Sequence, residues 1–149
     1  MKGVNIIWEE INRENDQLKF HKRKENKMKK LFISVPMKGR TDEAIKNSME
    51  KMHKIAELIF GEELEVLQTH MPPEAPDGTN QSVWCLGRSI QKLAEADYFI
   101  GVRDRYGYFR GCDIEEDVAM SYNIKRFMID MYGCDFLKDA CRLETDNTH

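Results

Sequence analysis

From Lys29 onward the chain alternates between two hydrophobic periods, and that alternation narrows its possible folds more than any other feature. "LFISV" (31–35) is a short apolar run rich in β-formers and reads as a buried strand. The next segment has the helical period, with Ile45, Met49, Met52, Ala56 and Ile59 on one face. "LEVLQ" (64–68) reads as a second strand, followed by a helix through Val83, Leu86, Ile90, Leu93 and Ala94. "YFIGV" (98–102) is a third strand, "CDIEEDVAMSYN" a helix, and "RFMID" (126–130) a fourth strand. "CDFLKDACRL" ends the pattern as one more helix, with Cys134 and Cys141 two turns apart as apolar residues. Strands joined through helices run parallel, so the expected fold is α/β, with a mostly parallel four- to five-stranded sheet and helices on both faces.

Punctuation residues mark where the elements stop. Pro36 ends the first strand and Gly39 permits a turn. Thr41 is a good helix N-cap, with Asp42 and Glu43 in the first turn, and Gly61 ends that helix. Ser82 is the expected cap of the next one. In sheets of this kind ligands bind outside the carboxyl ends of the strands. The expected floor of a site is therefore "PMKGRT", "THMPPEAPDGTNQS" and "RDRYGYFRG".

Residues 1–28 have a different character. "VNIIWEEINRENDQL" can form an amphipathic helix through Ile7, Ile11 and Leu18, and "KFHKRKENKMKK" is a basic run that reads as a solvated linker. Met28 could be a natural start. The expected division is an extension over 1–28 and one domain over 29–149, about the size of a single core. The net charge of −3 argues against a partner that is a nucleic-acid polymer. No apolar run approaches the roughly 20 residues that cross a bilayer, so no membrane partner is expected. Nor is a secretory leader expected, because the N-terminal apolar cluster "IIW" is too short for its core. The four cysteines lack CxxC spacing, so neither a zinc site nor a disulfide framework is expected, and reduced thiols fit a cytoplasmic protein.

"RGCDIEEDVAMSYN" carries Asp113, Glu115, Glu116 and Asp117 at a helix start. At about 100° per residue, Ile114, Val118, Ser121 and Tyr122 define the expected inward face. Asp113 and Glu116 then point away, and Glu115 lies on the flank, where it can be partly buried and still face a site. Free helix N–H groups are expected to keep it ionised. A positioned carboxylate can be a nucleophile at a sugar carbon. "PMKGRTDE" is a plausible anion cradle, although the GxxxxGK[ST] spacing of a P-loop is absent.

"LFISVPMKGRTDE", "WCLGRSIQKLAEADYFIGV" and "RGCDIEEDVA" together resemble the nucleoside 2-deoxyribosyltransferase-like proteins, in particular a small branch found in prophages and gut bacteria. The resemblance covers about residues 29–130. It implies a Rossmann-like three-layer sandwich, no cofactor or metal, a homo-oligomer, and chemistry at the N-glycosidic bond of a nucleoside or nucleotide. Glu115 matches the residue that attacks C1′ in that family, and Gly111 the glycine that lets the ligand approach. Three positions depart from the transferase and hydrolase pattern: Leu31 stands where a Tyr is usual, Ser89 where an Asp is usual, and Phe109 where the transferases have an Asp.

The expected site is thus Glu115 as the catalytic residue, with Ser34, Pro36, Met37, Gly39, Arg40, Ser89, Arg110 and Gly111 binding substrate. Convergence of Arg40, Arg88 and Arg110 would favour a phosphate-bearing ligand, and Tyr106, Tyr108 or Phe109 could stack on a base. Two functions stay open: an enzyme acting at the glycosidic bond, and a non-catalytic nucleotide-binding, sensing or sequestering protein.

Overall fold

The structure is a computed structural model and describes residues 27–70, 74–104, 109–132 and 134–140. It is a Rossmann-like three-layer α/β sandwich around a four-stranded, all-parallel sheet. The elements are β1 (Lys29–Ile33), α1 (Asp42–Phe60), β2 (Leu64–Val66), α2 (Gln81–Leu93), β3 (Tyr98–Arg103), α3 (Arg110–Ser121) and β4 (Lys125–Asp130), then a 3₁₀ turn (Asp135–Leu137). The strand order is β2-β1-β3-β4. The chain therefore steps one way from β1 to β2 and returns across β1 to β3. This reversal puts α1 on one face and α2 and α3 on the other, with the switch point of the strand order between β1 and β3.

Alternation along β1 assigns its side chains to the two layers. Leu31, Ile33 and Val35 pack with Ile45, Met52 and Ala56 of α1 and with Leu137 of the 3₁₀ turn. Phe32 faces the opposite way, stacks on Phe99 at 5.7 Å, and packs with Leu93 of α2 and Ala119 of α3. Each face thus buries its own apolar cluster, and burial at roughly 25 cal/mol per Å² is the main force holding the layers.

Local chemistry sets the helix ends. Thr41 Oγ1 accepts from the Ala44 N–H at 3.1 Å, and Gly61, with φ of 73°, closes α1 by donating its N–H to Glu57 O. The cap of α2 is Asn80, not Ser82: its side chain accepts from the Val83 N–H at 3.1 Å, and the helix begins at Gln81. An Asn carbonyl with an extended backbone fits the cap geometry, so the helix starts ahead of the serine. β2 stops at Val66 instead of Gln68. Leu67 still donates to Leu31 O at 2.9 Å, but the Gln68 side chain turns back to His70 O. On α1, Ser48 is buried and Ile59 half exposed, because Ser48 has polar partners within the fold. Val83 on α2 is exposed rather than inward. Cys134 leads into the 3₁₀ turn, which runs on into α-helical residues 138–140; Cys141 lies outside the described residues, as do the expected helix in 4–18 and most of the basic run. Among the described residues no helix is long and apolar enough to cross a membrane.

Candidate active site

Glu115 is the one carboxylate buried among the described residues, at 8% exposure. Its Oε1 accepts from Ser34 Oγ at 2.9 Å, and its Oε2 accepts from Ser89 Oγ. The three side chains come from β1's carboxyl end, α2 and α3, and meet at the strand-order reversal. Each position has a local cause. Ser34 follows Phe32 by two residues, so it shares that side chain's face of the sheet. Its N–H bonds Ile100 O at 2.8 Å, which extends the β1–β3 ladder and fixes its direction. Glu115 faces the sheet because α3 seats Cys112 and Ala119 inward, three residues before it and four after.

The helix is therefore rotated from the sequence expectation. Tyr122 is 77% exposed and Ser121 is exposed, while Glu115 belongs to the buried face itself and not to its flank. Phe109 explains the rotation. It is buried in the α1-side cluster, with Cys112 beside it, and anchors the start of α3. That also removes Phe109 as a residue to stack on a base; Tyr106 and Tyr108 lie outside the described residues.

Burial pushes the Glu115 carboxyl above its ordinary 4.5, against hydrogen bonds from Ser89 and then Ser34 that draw it down. The expected help from free helix N–H groups is absent from these causes. α3 starts at Arg110, so Glu115 sits in the second turn, beyond the four free amides at the helix start. Its neighbour Glu116 points outward and pairs with Arg103 and Arg126. Asp113 is also raised, first by burial and then by Glu116.

The "PMKGR" loop has a defined shape. Arg40 N–H bonds Met37 O at 3.1 Å across Gly39, whose φ of 72° is the positive value a type II turn requires at that position. Pro36 is buried, Met37 half-buried and Gly39 exposed. The three arginines do not form a ring of available cations. The Arg40 side chain is fully buried and forks onto Asp139, Nε to Oδ2 at 2.7 Å and Nη2 to Oδ1 at 3.0 Å. It also donates to Pro36 O at 2.9 Å and Ser48 Oγ at 2.7 Å. These partners lie on the α1 face, away from the face that holds Glu115. Arg88 is half-buried on α2 and bounds a shallow surface hollow with Gln91, Lys92 and Glu95. Arg110 and Gly111 are exposed in the first turn of α3. Leu31 is wholly buried in the apolar core.

Sequence reading found the carboxylate and both serines, but not their connection, nor Asp139 and Ser48 as the partners of Arg40. The alternation Phe32–Ser34 was a usable signal for Ser34. Contacts to Asp139 span 99 positions and leave no local trace. Comparison with protein-family models, curated proteins and solved structures finds no match for the chain.

Chemically, the cluster offers a carboxylate held at both oxygens by neutral hydroxyls. Among the described residues no ion pair reaches it. A carboxylate without a counter-ion keeps its charge available for an electron-poor centre, here one that approaches from the carboxyl end of the sheet.

Proposed function

We propose that the protein cleaves or transfers at the N-glycosidic bond of a (2′-deoxy)nucleoside or nucleoside 5′-monophosphate, with Glu115 as nucleophile. The observation that carries this reading is the buried Glu115 carboxylate at the strand-order reversal, fixed by Ser34 and Ser89 and without a cation partner among the described residues. One carboxylate oxygen attacks C1′ as the bond from C1′ to the base nitrogen breaks. The bonding pair leaves on that nitrogen, which takes a proton from solvent. Water or a second base then attacks C1′ and frees the carboxylate. The residues around it position and do not react: two hydroxyls fix the plane of the carboxylate, which favours a near-attack geometry. In this reading Gly111, one helical turn before Glu115, lets the ligand approach, the "PMKGR" loop with Met37 and Gly39 contacts it, and Arg110 supplies a cation for a 5′-phosphate. We include a cytoplasmic location and self-association in the reading; exposed Val83 and Trp84 on α2 support the latter.

A second reading has its own support. Both oxygens of Glu115 are already occupied by hydroxyls. That suits a protein that binds, senses or sequesters a nucleotide without cleaving it. Incubation with a panel of nucleosides, 2′-deoxynucleosides and their monophosphates, read as free base released, separates the two. Release that Glu115→Ala abolishes and Glu116→Ala spares supports the enzyme. Tight binding without release supports the binder, and neither binding nor release refutes both.

A further inference from the structure

The end of β2 carries an unexplained polar atom. Thr69 Oγ1 is buried and has no hydrogen-bond partner among the described residues. Buried hydroxyls are almost always paired, because leaving one unpaired forfeits its hydration for nothing. Valine has nearly the same shape and would fill the space without that penalty, so a threonine here calls for a cause.

Its position supplies one. Leu67 makes the last hydrogen bond between β2 and β1, to Leu31 O, and its side chain packs with Phe32 and Leu93 on the α2 and α3 face. Thr69 lies three residues past Val66, just as Ser34 lies three past Leu31, the register partner of Val66, so both stand at the carboxyl end of their neighbouring strands. Ser34 there holds Glu115. Three hydroxyls thus belong to this end of the sheet. Ser34 and Ser89 are spent on the carboxylate, and Thr69 is not.

We propose that Thr69 is a further substrate-contacting residue, its hydroxyl forming a hydrogen bond with a polar group of the nucleoside or nucleotide that lies against Glu115. This rests on the functional reading above. It adds that the substrate reaches across β1 toward β2 and supplies the partner that the orphan hydroxyl lacks.

Thr69→Val tests it in two arms. Without ligand, the melting temperature is expected to stay the same or rise by about 2–4 °C, since an unpaired hydroxyl is replaced by a methyl group. A fall of several degrees would mean that the hydroxyl has a partner in the folded chain, and would overturn the assignment. In the second arm, 2′-deoxynucleosides and their 5′-monophosphates are titrated calorimetrically into Glu115→Gln protein, with and without Thr69→Val, so that nothing turns over. The expected result is about a 5- to 10-fold loss of affinity on adding Thr69→Val. A loss equal for all bases puts the partner on the sugar, and a base-dependent loss puts it on the base. Unchanged affinity overturns the role of Thr69 and leaves the functional reading standing. If none of these ligands binds even where Thr69 is intact, the functional reading falls and the assignment with it.

Discussion

Arg40 and Glu115 are the two charged side chains buried among the described residues, and they are treated in opposite ways. Arg40, on the α1 face, is compensated at every turn. A forked pair to Asp139, a serine and two backbone carbonyls satisfy its donors. Glu115, on the α2 and α3 face, has two neutral hydroxyls and, among the described residues, no cation. A buried charge without a counter-ion is costly, and folding alone gives no reason to keep one. On the proposed reading the contrast separates structure from function: Arg40 ties the "PMKGR" loop, α1 and the C-terminal turn together, while Glu115 is held at the expense of stability.

The contrast can be broken at its structural end first. Arg40→Ala should destabilise the fold by about 3 kcal/mol, at the low end for removing one partner of a buried pair because half-exposed Asp139 can rehydrate. For a domain of this size that is on the order of 10 °C in melting temperature. A loss of under about 2 °C would mean that the Arg40 network is not structural. Asp139→Asn should cost less, since a half-exposed carboxylate is screened. Its pH dependence has a definite sign. The hydrogen bonds from Arg40 hold Asp139 below its ordinary 3.8, so its contribution is complete above that value and is lost as pH falls through the lowered one.

The functional end predicts the opposite sign. Burial raises Glu115 above 4.5, so the native state holds its proton more tightly than the unfolded chain. Stability is then whole below about 4.5 and declines as pH rises through the raised value. Glu115→Gln should therefore raise the melting temperature by about 2–4 °C at neutral or alkaline pH, and the gain should vanish in acid. A uniform loss of stability at all pH values would make Glu115 structural. The smallest effect belongs to Ser89→Ala. Removing a hydrogen bond that lowers the carboxyl should move the acid limb of the activity profile to higher pH, because only the ionised form attacks. Ser34→Ala should move it the same way, by less.

The comparison also shows what the sequence could and could not reveal. Period alone is enough for the all-parallel sheet, and Thr41 and Gly61 mark the ends of α1 by their own chemistry. Glu115 was legible through its place in a helix after a strand. The rotation of α3 was not, because its small inward residues, Cys112 and Ala119, give a weaker apolar signal than Ile114 and Tyr122. Nor was the commitment of Arg40, since a surface-type residue in a glycine turn becomes structural only when the distant Asp139 folds back onto it. The protonation of Glu115 depends on burial, a property of the assembled layers and not of the helix that carries it.

The central claim is that Glu115 is kept uncompensated in order to bond to C1′. Intact-mass measurement after rapid acid quenching tests it most directly. Protein incubated with a 2′-deoxynucleoside 5′-monophosphate that it turns over should gain one deoxyribosyl phosphate, mapped by peptide analysis to Glu115 and absent from Glu115→Gln. Base release by Glu115→Gln at the wild-type rate, or an adduct on Glu116, would contradict the account.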